Sequence, residues 1–285
     1  MGSRAGGVAP GHTRAGADAD RTGLAKLPPM ILHPYESGFV AIPQSAHAFM
    51  AFQIAEHWGN RLTPRPSPRP EVLAAVLLHD AGWDGREEPP HLAPDGAPAA
   101  FDTIAAAERV PVWGSAVERA RLRGRYVAYL VSHHVCALAA FDQEHRFDTF
   151  VAQQEALRSD LQRELASDAR YATLFSSGAD ETNRAVVRLA DAIAVHLARG
   201  GEGSALLEGV PRRGGSAPLV LRAVEPRAYR LRPWPLVGRR LTVTTEGRLL
   251  PARRYPDEAA LQDAWQAATT VRVSWTLLPT GAPSD

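Results

Sequence analysis

"VLLHDAGWDG", residues 76–85, ends an apolar run with His79 and Asp80 side by side, two residues before Gly82. An imidazole and a carboxylate at the end of a buried helix are costly unless both have partners. The residues before them, "PEVLAAVLL" from Pro70, read as a helix with proline in its first turn. Adjacent helical residues point about 100° apart, so His79 and Asp80 converge on one point only where the backbone is already turning. Gly82 places such a turn at the right position.

Working outward, the pattern predicts further helices. Residues 45–58, "SAHAFMAFQIAEHW", are apolar on nearly every side, with Ser45 as N-cap and Gly59 as stop. Others are expected near 102–110, 112–123, 125–141, 147–167 and 180–199. "ILHPYESGFVAIPQ" reads as a hairpin turning at Ser37-Gly38. "GGEGSALLEGVPRRGGSAP" breaks the helical run, and alternating β-branched segments follow, with one capped helix in "PDEAALQDAWQAA". The expectation is a mainly α protein: a helical metal-binding domain over residues 30–200 and a small β-rich C-terminal region over 216–280, with the N-terminal hairpin as a candidate addition to it. The first 29 residues, lacking a hydrophobic pattern, read as a disordered tail without the apolar core of a secretory signal.

Composition narrows the chemistry. Lys26 is the only lysine, so a Walker-type phosphate loop, a kinase ATP site and a Schiff-base mechanism lack their lysine in the folded body. Cys136 is the sole cysteine, which excludes a disulfide framework and a thiolate cluster and assigns it to packing in a reducing compartment. A net charge of +1 gives no footprint for nucleic acid or an anionic membrane, although such a sum hides local patches. No stretch reaches the length of a membrane span.

Four of the expected helices each carry a metal-ligand type: His47, then His79 with Asp80, then His133 and His134, then Asp191. Imidazole and carboxylate together suit a borderline divalent ion, and ligands on separate helices can converge in a bundle. Each residue alone reads as an ordinary core polar group, but four interrupted apolar helices in one order are hard to explain by packing, since every buried polar group needs a partner. His134 shares a face with Leu130 and Leu138, and periodicity favours it over His133.

The ordered set His47, His79-Asp80, His134 and Asp191 resembles the HD superfamily of metal-dependent phosphohydrolases. More narrowly, "MILHPYESGFVAIPQSAHAFMAFQIAEHWGN", "LLHDAGWDG", "YVAYLVSHHV", "LADAIAVHL" and "YRLRPWPL" resemble a bacterial HD-like family of unknown function, domain-of-unknown-function family 3891. The resemblance implies an HD-like helical bundle in the cytoplasm and makes His47, His79, Asp80 and Asp191 metal ligands, with His134, His133 or both completing the set. The ion would be Mn, Fe, Ni, Zn or Mg. Dinuclear relatives use a further histidine, and Arg109 stands where it is expected; His91 lies in a proline-rich loop, so one ion is expected rather than two.

The activity so implied is phosphohydrolysis of a small anionic phosphorylated or nucleotide substrate by a metal-activated water that Asp80 helps orient. With lysine absent, arginine must meet the substrate, and Arg86 and Arg109 are the candidates. Trp83 and Asp84 either line the mouth or hold the turn. Two other classes remain open: an HD-type di-iron oxygenase, which needs a sixth ligand, and a non-catalytic binding module with a structural metal. No nucleic-acid or membrane partner is expected, and homo-oligomerisation is left open.

Overall fold

The computed structural model describes residues 30–85 and 89–281. The tail assigned to residues 1–29 and the candidate Arg86 lie outside the described residues. The chain starts with strands β1 (Met30–Tyr35) and β2 (Gly38–Pro43), followed by helices α1 (Gln44–Glu56) and α2 (Arg69–Leu78). Helices α3 (Ala106–Arg121), α4 (Arg125–Ala139), α5 (Asp148–Ala166) and α6 (Ala179–Ala198) complete the helical layer. Strands β3 (Ser204–Arg212), β4 (Gly215–Glu225), β5 (Ala228–Arg232) and β6 (Leu241–Leu250) follow, then α7 (Glu258–Ala267) and β7 (Thr270–Pro279).

The expectation of a mainly α, all-helical bundle with a small β appendage is overturned. Helix accounts for 44% and strand for 24%, and the strands form one curled, mixed half-barrel sheet of seven. Its order is β1-β2-β6-β7-β5-β4-β3, antiparallel except for β5 beside β7. The sheet outgrew the expectation for two reasons. The N-terminal hairpin adds to its edge, Phe39 to Ala41 pairing with Leu250 to Arg248. And "SALLEGVPR", inside the glycine-rich segment, is a strand, not a break.

That second difference has a local cause. Pairing of β3 with β4 shifts register between Leu207 and Val210, and Gly209 there has φ +79°. A bulge of this kind absorbs one residue in the left-handed region, a conformation glycine adopts freely. Pro211 is tolerated because β3 is an edge strand, where a missing N–H breaks no ladder. The hairpin turn is Glu36-Ser37, one residue earlier than expected. Helix α1 starts at Gln44, with Pro43 at the cap position and no side-chain cap from Ser45.

A further correction concerns residues 102–123, where two helices were expected and α3 runs unbroken through Pro111. Proline in a helix interior costs about 3 kcal/mol. Val112, Trp113, Ala116, Val117 and Ala120 form one buried stripe on α3, and their burial, at about 1.5–3 kcal/mol for each large side chain, exceeds that cost.

One hydrophobic core joins both layers. Met50 and Ile54 of α1 and Ile193 and Leu197 of α6 pack with Val210, Leu221, Val243 and Trp275 of the sheet. Period-two alternation sends Met30, Ala41 and Leu250 to the opposite face, where Leu261 and Trp265 of α7 cover them. Helix α1, apolar almost all round, is therefore enclosed between the sheet and helices α2 and α6, and this puts His47 in the interior. Helix α5 buries Phe150, Gln154, Leu161 and Leu165 as an ordinary amphipathic face. Cys136 is half-buried, and burial pushes its thiol up.

Candidate metal centre

Helices α1, α2, α4 and α6 pack against one another, and the ligand-type residues meet where they cross. Helix α2 stops at Leu78; His79 still has helical backbone, whereas Asp80 has turned to φ −106° and ψ 11° before a 3-10 turn over Ala81–Trp83. That change of direction brings the two neighbouring side chains to one place, His79 Nε2 lying 3.2 Å from Asp80 Oδ2. From α1, His47 Nε2 approaches Asp191 Oδ1 of α6 at 2.9 Å and Asp80 Oδ2 at 3.7 Å. His79 Nε2 is 3.3 Å from Asp191 Oδ1, and His134 Nε2 of α4 is 3.6 Å from Asp191 Oδ2.

The turn depends on Gly82. A Cβ there would stand 1.9 Å from the Val112 carbonyl oxygen and 3.2 Å from the Ala116 nitrogen, inside a hydrogen bond of α3. Trp83 is buried against Ile104 and Val112, so it fastens the turn to α3; Asp84 pairs with Arg119 at 3.6 Å.

Burial and close opposite charges act against each other in this cluster. His47 and His79 are 0% and 2% exposed, His134 3% and Asp191 8%, so four ionisable groups share a nearly dry volume, with Asp80 at its edge. Burial alone would raise the Asp191 carboxyl, but the hydrogen bond from His47 and the contacts with His79 and His134 outweigh it and hold it well below its ordinary range. Asp80 is likewise lowered against burial, chiefly by His79. Burial alone would lower His79, yet Asp80 and Asp191 raise it well above the ordinary imidazole value. In His134 burial wins, and the imidazole is pushed down to about 4.

The fit to a metal can be judged from the imidazoles. His79 Nδ1 donates to the Val76 carbonyl at 2.6 Å, which makes Nε2 the nitrogen presented to the cluster. His79 Nε2, both nitrogens of His134 and Nδ1 of His47 are buried without a hydrogen-bond partner among the described residues. Buried polar atoms of a native protein are seldom left so. Two overlapping triads, His47-His79-Asp80 and His79-His134-Asp191, each bring donor atoms within 4.8 Å of one another. Three imidazoles and two carboxylates are a donor set for a borderline divalent ion.

The remaining candidates stand elsewhere. His133 points its ring at Tyr129, with centroids 4.6 Å apart, and lines a pocket of about 370 Å³ that reaches His134. Burial, with the cations of Arg158 and Arg184, pushes His133 down to about 3. Arg109 Nη2 donates to the carbonyls of Asp102 at 3.0 Å and Ile104 at 3.4 Å, and neither bond reaches the cluster. His91 meets Glu258 of α7 at 3.3 Å. Arg109→Ala should therefore lower stability by about 1–2 kcal/mol, as expected for two lost hydrogen bonds, and leave the metal content unchanged; a denaturant melt with elemental analysis checks both.

The pocket also contains Arg184 and Arg188, which the sequence reading passed over. Both lie on α6 upstream of Asp191 at helical spacing, so the three share a face. That spacing was the available signal, obscured by the number of arginines. Arg188 Nη2 donates to the Glu208 carbonyl at 2.6 Å, and Arg184 pairs with Asp180 at 3.1 Å. Glu181 is the one acidic residue in the lining.

Residues 30–252 match the family described as protein of unknown function (DUF3891). This chain belongs to the DUF3891 family. Every member of the cluster, together with Arg184 and Arg188, falls inside the matched span. Searches of curated proteins and of solved structures gave no match. No described helix of this DUF3891 member is long and apolar enough to cross a membrane.

Proposed function

We propose that the protein is a metal-dependent phosphohydrolase of the HD type, acting on a small phosphorylated molecule or nucleotide. The observation that carries this reading is the juxtaposition of a buried histidine-aspartate cluster, with partnerless imidazole nitrogens, and an arginine-lined pocket that reaches His134. His47, His79, Asp80, His134 and Asp191 would hold one divalent ion, from among Mn, Fe, Ni, Zn and Mg. Such an ion supplies Lewis acidity toward a phosphoryl oxygen and lowers the pKa of water in the site.

The chain's own residues do the rest. Asp80 is the most open member of the cluster, its side chain 13% exposed, and would orient water there. Arg184 and Arg188 present planar cations to the pocket, and a guanidinium binds a phosphate through two parallel hydrogen bonds. His133, held neutral beside them, offers hydrogen bonds without added charge. A volume of about 370 Å³ suits a phosphorylated metabolite.

Phosphate release from a panel of nucleotides, phosphomonoesters and cyclic nucleotides, with each metal in turn, tests the proposal. Turnover by wild type and its loss in His47→Ala are expected. No release from any substrate, with oxygen uptake and an iron optical signal instead, would move the assignment to the oxygenase. For an accepted substrate, Arg184→Ala and Arg188→Ala should each raise KM about tenfold, the worth of a hydrogen bond to a charged group, with metal content unchanged.

A further inference from the structure

A second concavity, away from the histidine-aspartate cluster, is shaped by four segments remote in sequence, one of them Pro279 to Gly281 at the end of β7. The loop after α1 brings Arg61 and Leu62, the β3–β4 hairpin brings Arg212 and Arg213, and the segment after β5 brings Trp234 and Arg239. The groove so formed has a volume of about 750 Å³. Its walls are fastened by backbone. Arg213 N donates to the Leu62 carbonyl at 3.0 Å, and Gly59 N to the Pro235 carbonyl at 2.9 Å. Asn60 Nδ2 donates to the Trp234 carbonyl at 2.8 Å, and Trp234 Nε1 to that of Gly238 at 2.7 Å. The arginines are therefore held at this place by the fold.

Charge sets this groove apart. No carboxylate occurs in its lining among the described residues. None of the guanidinium groups of Arg61, Arg212, Arg213 and Arg239 has a hydrogen-bond or ion-pair partner among the described residues. Elsewhere on the surface the arginines commonly find one, as Arg125 does in Asp168 and Arg272 in Glu246. Like charges repel at this range, so four gathered cations without an internal anion call for an external one. The apolar part of the lining, with Leu62 60% exposed and Trp234 half-buried, adds a surface suited to a flat ring.

We propose that this groove binds a nucleoside polyphosphate, the four arginines taking the phosphates and Trp234 with Leu62 taking the base. Guanidinium forks match phosphate oxygens in pairs, and an indole stacks on any base. The groove lies within the range of small-ligand sites and is too small to bury a macromolecular chain. The site is separate from the metal centre, with which it shares no lining residue.

Calorimetric titration of the full-length protein with ATP, AMP and inorganic tripolyphosphate tests the assignment. ATP should bind with a Kd of about 100 μM or tighter, and AMP roughly tenfold or more weakly for want of phosphates. Arg213→Glu and Arg239→Glu, at exposed positions whose side chains make no fold contacts through hydrogen bonds, should weaken ATP and tripolyphosphate alike by about tenfold or more. Trp234→Ala should weaken ATP and spare tripolyphosphate, and Asp191→Asn, which removes any nucleotide binding at the histidine-aspartate cluster, should leave the binding event of the groove in place. Circular dichroism of each variant verifies folding. No heat with ATP at millimolar concentration would overturn the proposal. So would ATP binding that is lost in Asp191→Asn but kept in Arg213→Glu, which would place the nucleotide at the metal centre. A single-stranded oligonucleotide that binds far tighter than ATP and depends on the same arginines would assign the groove to nucleic acid instead.

Discussion

Protein carrying Asp191→Asn should be purified with no divalent metal above background, where wild type should carry about one ion per chain. Asp191 is the hub of the cluster: its two oxygens face His47 and His79 on one side and His134 on the other. Asparagine keeps the shape but removes the anionic charge and turns half of the acceptor surface into a donor. Removing only an outer partner of a ligand typically weakens a metal site about 10–100-fold, so loss of a direct carboxylate should exceed that. Elemental analysis after purification without chelator, followed by competition with a chromogenic chelator, gives the ratio. Metal retained by the variant at the wild-type level would remove Asp191 from the site. Because Asn takes the shared anion from three buried imidazoles, the variant's response to added metal in a thermal melt should also vanish, whereas wild type should gain stability as metal is added.

The second large effect is expected at Gly82. A methyl group at this position meets the Val112 carbonyl oxygen at 1.9 Å and cannot be relieved by a rotamer, because a Cβ is fixed by its own backbone and the atom it meets is backbone. Either the 3-10 turn lifts away from α3 or the Val112–Ala116 hydrogen bond opens. Overpacking of this kind costs about 3 kcal/mol, or roughly 6 °C or more in melting temperature, for Gly82→Ala. The same displacement moves Asp80, two residues earlier, away from His47 and His79, so metal affinity should fall with stability. Gly85→Ala is the control. Its φ of +78° is unfavourable for alanine, but a Cβ there meets nothing within 4 Å, so the cost should stay near 1 kcal/mol and the metal site should be untouched. A Gly82→Ala protein with wild-type melting and metal content would show that the turn has slack the close packing denies.

Much of the local structure was legible in the sequence because its causes are local. Helices α2, α4, α5 and α6 follow from apolar spacing, from Pro70 in a first turn and from the glycines that interrupt the pattern. The order His47, His79-Asp80, His134, Asp191 could likewise be read, since each is a polar residue set into an apolar helix, where it needs a partner. The reading of α3 as two helices shows the limit of a local rule: Pro111 forbids one hydrogen bond, but the stripe from Val112 to Ala120 outweighs it. The missing β3 shows the same limit, since "EGVPR" looks like a breaker until a neighbouring strand supplies a bulge and an edge position.

What the sequence by itself determined, then, is where most of the helices lie, which polar residues are set into apolar helices, and that a lone Cys136 leaves no disulfide to be formed within the chain. Tertiary structure alone decided the fold class, because the pairing of Val40 with Leu249 joins residues from opposite ends of the chain and is selected by burial on two faces rather than by pattern. It also decided which arginines share a pocket with His134. Arg184 and Arg188 earn that place over Arg109 through the packing of α6 on α4, and one arginine looks like another until a neighbouring helix turns it toward a pocket. The physical reason is common to both: local preferences are set within a turn or two of chain, whereas pairing and pocket formation depend on contacts that exist only once distant segments have packed.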